Sequence, residues 1–209
     1  MPLLKFIKIV FIFTLIAGCS SNGVINQSVD ANVESAIIEI PSQAANDFKV
    51  AIGFMNEQKF DLAEKHFIKM TVDYPLISGS FANLGIIYSQ RKEWDKAEAM
   101  LKQANDKNTK NIKILNQLGY VYRQQGTFDK AEECYLKAIE LEPSDSAAYL
   151  NLGVLFDIYM GKLVKASEYY QQYQGLQGTP DRRVAGWIVD INRRAGIKPM
   201  KSQIASEAP

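Results

Sequence analysis

The chain has a single histidine and two cysteines in 209 residues, so the usual materials of a catalytic or metal centre are scarce. No stretch reads G-x-x-x-x-G-K-[ST], H-E-x-x-H, G-x-S-x-G or paired C-x-x-C. Phosphate-loop, zincin, serine-hydrolase and zinc-ribbon chemistry therefore find no frame. His66 and Cys134 lie two repeat lengths apart, which argues against a catalytic Cys-His pair. Charge of one sign is also missing, with 24 Lys+Arg against 23 Asp+Glu, so no global field favours nucleic acid. The one continuous apolar run, residues 9–16, falls well short of the roughly 20 residues that span a bilayer. The expectation is a non-enzymatic chain with no catalytic residue, metal, cofactor, nucleic acid or small-molecule substrate. The remaining composition, 47% hydrophobic and 22% charged, is that of a folded domain.

What is present is a period. Ala63, Ala97 and Ala131 recur every 34 residues inside one frame. Leu84, Gly85 and Tyr88 return as Leu118, Gly119 and Tyr122, and again as Leu152, Gly153 and Phe156. Apolar residues follow each alanine at +4 and +7, and Pro75 and Pro143 close two of the units. With Phe81 three residues before Leu84, spacings of 3, 1 and 3 put the first set on one face of a helix, and the alanine set does the same on its partner. Paired helices that repeat at this interval stack as a solenoid.

These residues resemble the tetratricopeptide repeat. The resemblance implies an all-α solenoid of helical hairpins, with about four repeats over 44–77, 78–111, 112–145 and 146–179. A capping helix follows over 180–196 and a tail over 197–209. The glycines and alanines sit where the helices of a pair approach closely, since a larger group would overpack the contact. Val50, Ala51 and Phe54 are expected to form the core face of the first helix. Asp61, Asp95 and Asp129, each three residues before a glutamate, look like capping boxes at the start of the second helices. Gly126 can adopt positive φ and end a helix. Ala166 falls 35 residues after Ala131, so one residue is inserted near Tyr159 to Lys162. In the final helix, Val184, Trp187, Ile188 and Ile191 form the stripe that covers the last repeat.

The same resemblance implies a protein or peptide partner in a groove lined by first helices. The groove positions include Asn83, Ile86 and Gln90 from the second repeat, and Asn116, Tyr120 and Arg123 from the third. Asn151, Val154 and Asp157 follow from the fourth, and Phe48 belongs to the corresponding face of the first. Amides pair with peptide backbone, and Tyr and Arg are common hot-spot residues. Phe48 and Ala82 occupy sites where a clamp for a terminal carboxylate would want lysine, so that mode finds no support. In the run Tyr169, Tyr170 and Tyr173, the last two fill core positions and Tyr169 is left as a surface candidate.

The N-terminus reads as an address. Lys5 and Lys8 precede the apolar run, and Ile16-Ala17-Gly18-Cys19 resembles a bacterial lipobox. The resemblance implies a signal peptide over 1–18, lipidation of Cys19, and a flexible tether over 19–43. Its reach as coil would be roughly 25–30 Å. Several acyl chains anchor firmly where one anchors marginally, at about 0.8 kcal/mol per buried CH₂. An ordinary secretory signal with an incidental cysteine is the alternative reading. Ser20 and Ser21 after the cysteine imply sorting to the outer membrane, facing the periplasm. The expected function is an envelope interaction scaffold. Alternatives are a pilotin-like assembly factor for a type IV pilus or secretin complex, or an accessory protein of a TonB/ExbB/ExbD-type system.

Overall fold

A computed structural model describes residues 41–197. The expected signal peptide, Cys19, nearly all of the expected tether and the residues from 198 onward lie outside the described residues. The described chain is helical throughout, in four antiparallel hairpins and a last helix. They are α1 (Ser42–Asn56) with α2 (Phe60–Asp73), α3 (Ser78–Gln90) with α4 (Trp94–Lys107), and α5 (Ile112–Gln124) with α6 (Phe128–Leu141). Then come α7 (Ser146–Val154), continued by a π-helical turn at Leu155–Tyr159, with α8 (Leu163–Gly175), and finally α9 (Arg182–Ala195). None of the described helices is long and apolar enough to cross a membrane.

Each hairpin is held by the small-residue contact. A Cβ on Gly119 would lie 2.5 Å from Tyr135 Cε1, and one on Gly153 would lie 2.4 Å from Tyr170 Cδ1. On Gly85 it would meet Leu101 Cγ at 2.5 Å. Those distances are far inside van der Waals contact, so the second helix can seat its large residue only where the first offers none. Ala63, Ala97, Ala131 and Ala166 are all fully buried, as are Leu101, Tyr135 and Phe156. In the first hairpin Ala51 is buried but Val50 is 48% exposed, contrary to expectation. Its neighbour Asp47 is held instead by the Tyr74 hydroxyl, which donates to it at 3.1 Å.

The turns inside the hairpins share one conformation. Gln58, Lys92, Gly126 and Gly161 all have φ between 58° and 77°, and they recur at intervals of 34, 34 and 35 residues. Around Lys92, the Glu93 N–H donates to the Tyr88 carbonyl and the Lys92 N–H to that of Ser89, the paired bonds of a Schellman end. The residue after the left-handed one is already the N-cap of the next helix. In the fourth hairpin the closing bond runs from the Lys162 N–H to the Phe156 carbonyl, one residue wider. The extra residue is therefore absorbed as a π turn inside the first helix rather than in the connecting loop.

The capping boxes are not formed. Second helices begin at Phe60, Trp94 and Phe128, so Asp61, Asp95 and Asp129 are second helical residues, and no side chain caps these termini. The aspartates still complement the helix dipole from the first turn. Side-chain caps occur at the other helices: Asn111, Asp145 and Asp181 accept from backbone N–H groups of α5, α7 and α9.

The glutamates face the next repeat. Glu64 accepts from the Tyr88 hydroxyl at 2.8 Å and from the Arg91 guanidinium, which also pairs with Asp61. One repeat later, Gln125 donates to Glu98 at 3.0 Å and to Asp95 at 3.3 Å. At the third junction Lys165 stands 3.8 Å from Glu132 and 4.9 Å from the Phe156 ring centre. Burial raises the Glu64 pKa, but the Arg91 and Tyr88 hydrogen bonds outweigh it and hold the carboxyl below its ordinary value. Burial first, then the Glu64 hydrogen bond, pushes the Tyr88 phenol up to about 12.

Helix α9 closes the stack. Val184 and Ile191 are buried and Ile188 is half-buried. Trp187 departs from the expected stripe, with 41% of its surface exposed and its ring 5.5 Å from Tyr170. Polar fasteners do the rest. Ser167 donates to Asn192 at 2.6 Å, and Gln174 exchanges two hydrogen bonds with the Asp181 backbone.

The left-handed turn and the first junction each give a stability expectation. A left-handed lysine costs about 1–2 kcal/mol, whereas glycine loses about 0.5–1 kcal/mol through unfolded-state freedom. Lys92→Gly is thus expected to stabilise the fold by about 0.5 kcal/mol, read as a higher urea midpoint. Glu64→Gln is expected to destabilise by about 1 kcal/mol at neutral pH, the scale of a partly buried charge-assisted pair. Because the folded carboxyl titrates lower than the unfolded one, its contribution is present above the unfolded pKa and is lost as pH falls through the folded pKa. Melts of the two proteins should therefore converge at acid pH; a gap independent of pH would contradict the ion-pair account.

Candidate functional site: the first-helix face

First helices lie side by side, α5 touching both α3 and α7, so corresponding residues form rows across the repeats. The expected groove residues occupy these rows, most of them half-buried. Gln90 is exposed, while Asn83, Ile86, Asn116, Tyr120, Asn151, Val154 and Asp157 are intermediate. The Asn83 amide donates to the Gly79 carbonyl in its own helix at 2.8 Å. Asn116 and Asn151 are brought together: Asn151 donates to Asn116 at 3.4 Å, and Asn116 donates to Asp145 at 2.7 Å. Each amide keeps capacity for a further bond, and the mutual bond fixes its orientation.

Asp157 accepts from Arg194 of α9 at 3.3 Å, so the cap neutralises this carboxylate. Phe48 is drawn inward, packing edge-on against Phe67 at 5.6 Å, and serves the core more than the groove. Tyr169 is likewise no free platform. Its ring stacks on Phe156 at 5.5 Å and lies 6.5 Å from Tyr149, because the fourth repeat has an aromatic surface for it to cover.

Arg123 departs most from expectation. Anticipated as a surface contact, it is 9% exposed, the one buried charged side chain among the described residues. Its guanidinium carbon lies 5.3 Å from the Tyr120 ring centre and 5.4 Å from that of Tyr159. Nε and Nη1 are buried without a hydrogen-bond partner, and so is the hydroxyl of Tyr135. Burial drives the Tyr135 pKa far up, with the Arg123 charge pulling against it, so that phenol stays protonated.

Three aromatic residues of this region were not among the sequence expectations. Trp94 stands edge-on to Tyr120 at 6.0 Å, Phe128 lies 5.6 Å from Tyr159, and Gln124 donates to the Tyr159 hydroxyl at 3.4 Å. Phe60, Trp94 and Phe128 are themselves spaced by the repeat, and that aromatic period is the signal that points to them.

Neither tempting nucleophile is poised. Cys134 is half-buried, and burial, then Glu133, pushes its thiol up to about 11, away from the reactive thiolate. His66 packs its ring 5.1 Å from that of Phe54. No cluster of three metal-ligating side chains occurs among the described residues.

Comparisons with known proteins agree with this architecture. Family models of the tetratricopeptide repeat match residues 80–111 and 119–156. The chain is 34% identical over 105 residues to protein O-mannosyl-transferase TMTC1 of Homo sapiens, covering 48% of this chain and 12% of that protein. It is 34% identical over 87 residues to BBSome complex member BBS4 of Bos taurus, covering 42% and 16%. The chain thus spans less than a fifth of these relatives. Among solved structures, PilF of Pseudomonas aeruginosa superposes with a TM-score of 0.66 at 21% identity, over 73% of this chain and 69% of that one. MamA gives 0.59 at 24% identity, over 65% and 74%. The first tetratricopeptide domain of Spaghetti, bound to the HSP90 peptide SRMEEVD, gives 0.54 at 18% identity, over 57% and 94%. The described residues thus form an all-α solenoid of helical hairpins with the tetratricopeptide fold, and residues 80–111 and 119–156 match models of that repeat.

Proposed function

We propose that this protein is a lipid-anchored scaffold of a bacterial cell envelope that captures an extended protein segment along its first-helix face. The observation that carries the reading is the row Asn116, Tyr120, Arg123 with Asn151 beside it. There, oriented amides, an aromatic ring and a guanidinium share one wall. Amides of this kind pair with peptide backbone, while the ring and the guanidinium supply anchoring energy. The Spaghetti domain, similar in fold, holds a peptide, which supports reading this face as a peptide site. The lipobox-like Ile16-Ala17-Gly18-Cys19 supports the anchor, with the solenoid facing the periplasm from the outer membrane. Anchoring and tethering act through effective concentration, holding the scaffold close to partners at the membrane.

Crosslinking in intact cells, followed by mass spectrometry of what co-purifies, tests the face. Tyr120→Ala is expected to weaken capture about tenfold, the scale of a single hot-spot residue, with the thermal melt still cooperative. Undiminished capture would remove the face from consideration. The anchor has its own test. Cys19→Ala should abolish incorporation of labelled palmitate and move the chain out of the membrane fraction. A variant that still incorporates the label and stays with membranes would disprove the lipid reading.

A further inference from the structure

We infer that Arg123, held between Tyr120 and Tyr159, is a socket for one carboxylate side chain, Asp or Glu, of the bound segment, closed in the free protein and opened as the segment binds. The inference rests on the first-helix face being the binding surface, and it names the chemistry recognised there.

A guanidinium cannot shed its proton to escape burial, so a buried one needs an acceptor. Arg123 is 9% exposed, and Nε and Nη1 are buried with no hydrogen-bond partner. Asp157, an acidic residue on the same face, is committed to Arg194. The flanking Tyr120 and Tyr159 rings offer cation–π attraction but no lone pairs directed at the N–H groups. What is missing is a planar anion that accepts two N–H bonds together, and a carboxylate has that shape.

A peptide side chain is favoured as its source by the surroundings. Asn116 and Asn151 lie on the same wall, where the backbone of an extended segment would pass. Trp94, packed on Tyr120, adds an apolar shoulder beside the socket. The two positions where a terminal-carboxylate clamp would want lysine are Phe48 and Ala82, so an internal acidic residue fits the single guanidinium.

The test selects random peptides displayed on phage against the full-length protein, then measures selected peptides in solution. The expected result is a shared Asp or Glu in the selected peptides. Replacing it by Asn or Gln should weaken binding about tenfold or more, the scale of one buried charge-assisted pair. Arg123→Met should weaken the parent peptide equally, and combining both changes should cost little more than either alone. The Arg123→Met protein should unfold at or above the midpoint of the unsubstituted protein, since the substitution removes an uncompensated buried charge.

Peptides without an acidic position, or bound equally by Arg123→Met, would overturn the socket. If such peptides were still lost on Asn116→Ala, the first-helix face would stand while the socket failed. Selection of no peptide at all would defeat both. Succinate serves as the small-molecule arm: saturable Arg123-dependent binding of succinate with no peptide selected would assign the socket to a free carboxylate and refute the peptide claim. A lower midpoint for Arg123→Met with unchanged peptide affinity would leave the arginine a packing role only.

Discussion

The stack depends on one steric condition, that the first helix of each hairpin present little or no side chain where its partner presents a large one. Ala51 packs in the same core as Phe67, and Gly85 stands across from Leu101, Gly119 from Tyr135 and Gly153 from Tyr170. The contact sets the distance between paired helices and also their rotation, because only one phase brings the gap opposite the ring. Once the phase is set, the opposite side of each first helix must face the same way. The rows of the first-helix face are thus a by-product of core packing, and their spacing is inherited from it.

Between hairpins the chain uses chemistry rather than shape, and it changes along the stack. The glutamate five residues into each second helix reaches forward every time. It meets Arg91 and Tyr88 at the first junction, Gln125 at the second, and Lys165 over the Phe156 ring at the third. Burial and the Glu98 charge push the Tyr122 phenol up to about 12, much as the Tyr88 phenol is pushed at the junction before it. These junction glutamates all find their partners within the chain. Arg123, one residue from Tyr122 and about 100° further round the helix, has no such provision.

Much of the fold was legible because the contacts that hold it together are periodic. The alanines, glycines and large apolar residues at the hairpin contacts fall on the 34-residue frame, with Ala166 and Tyr170 one residue late, and they lie buried as that frame requires. What was not legible follows from degeneracy. An Asp-x-x-Glu pattern reads identically whether the aspartate caps the helix or lies in its first turn, and the Schellman turn moves the start one residue earlier. Gln58 and Lys92 adopt left-handed geometry with no glycine to announce it. Trp187 is on the right helical phase, yet among the described residues no further repeat follows the last helix to cover its outer side. The rows of the face could be placed from periodicity, but the burial of Arg123 could not. That burial depends on Tyr159, whose position is set by a local irregularity.

That irregularity connects fold and site. Phe156 still keeps the 34-residue register with Tyr122, whereas Gly161 has slipped to 35 relative to Gly126, so the added residue lies between them. Tyr159 is in that interval, and it supplies the second ring against Arg123. In a uniform α-helix the register would carry a counterpart of Gln125 here, aimed at the preceding repeat's glutamate. The π turn instead directs an aromatic residue onto the third repeat's first-helix face. Such turns survive when what they position outweighs the hydrogen bonds they weaken. A π turn that covers an otherwise ordinary surface cation, and leaves two of its nitrogens without acceptors, adds cost without relieving any. The arrangement becomes intelligible when an anion completes the guanidinium, because a cation already desolvated and flanked by rings has met its desolvation cost before binding. The departure from repeat symmetry and the unmet arginine are then two halves of one device, set into the first-helix face.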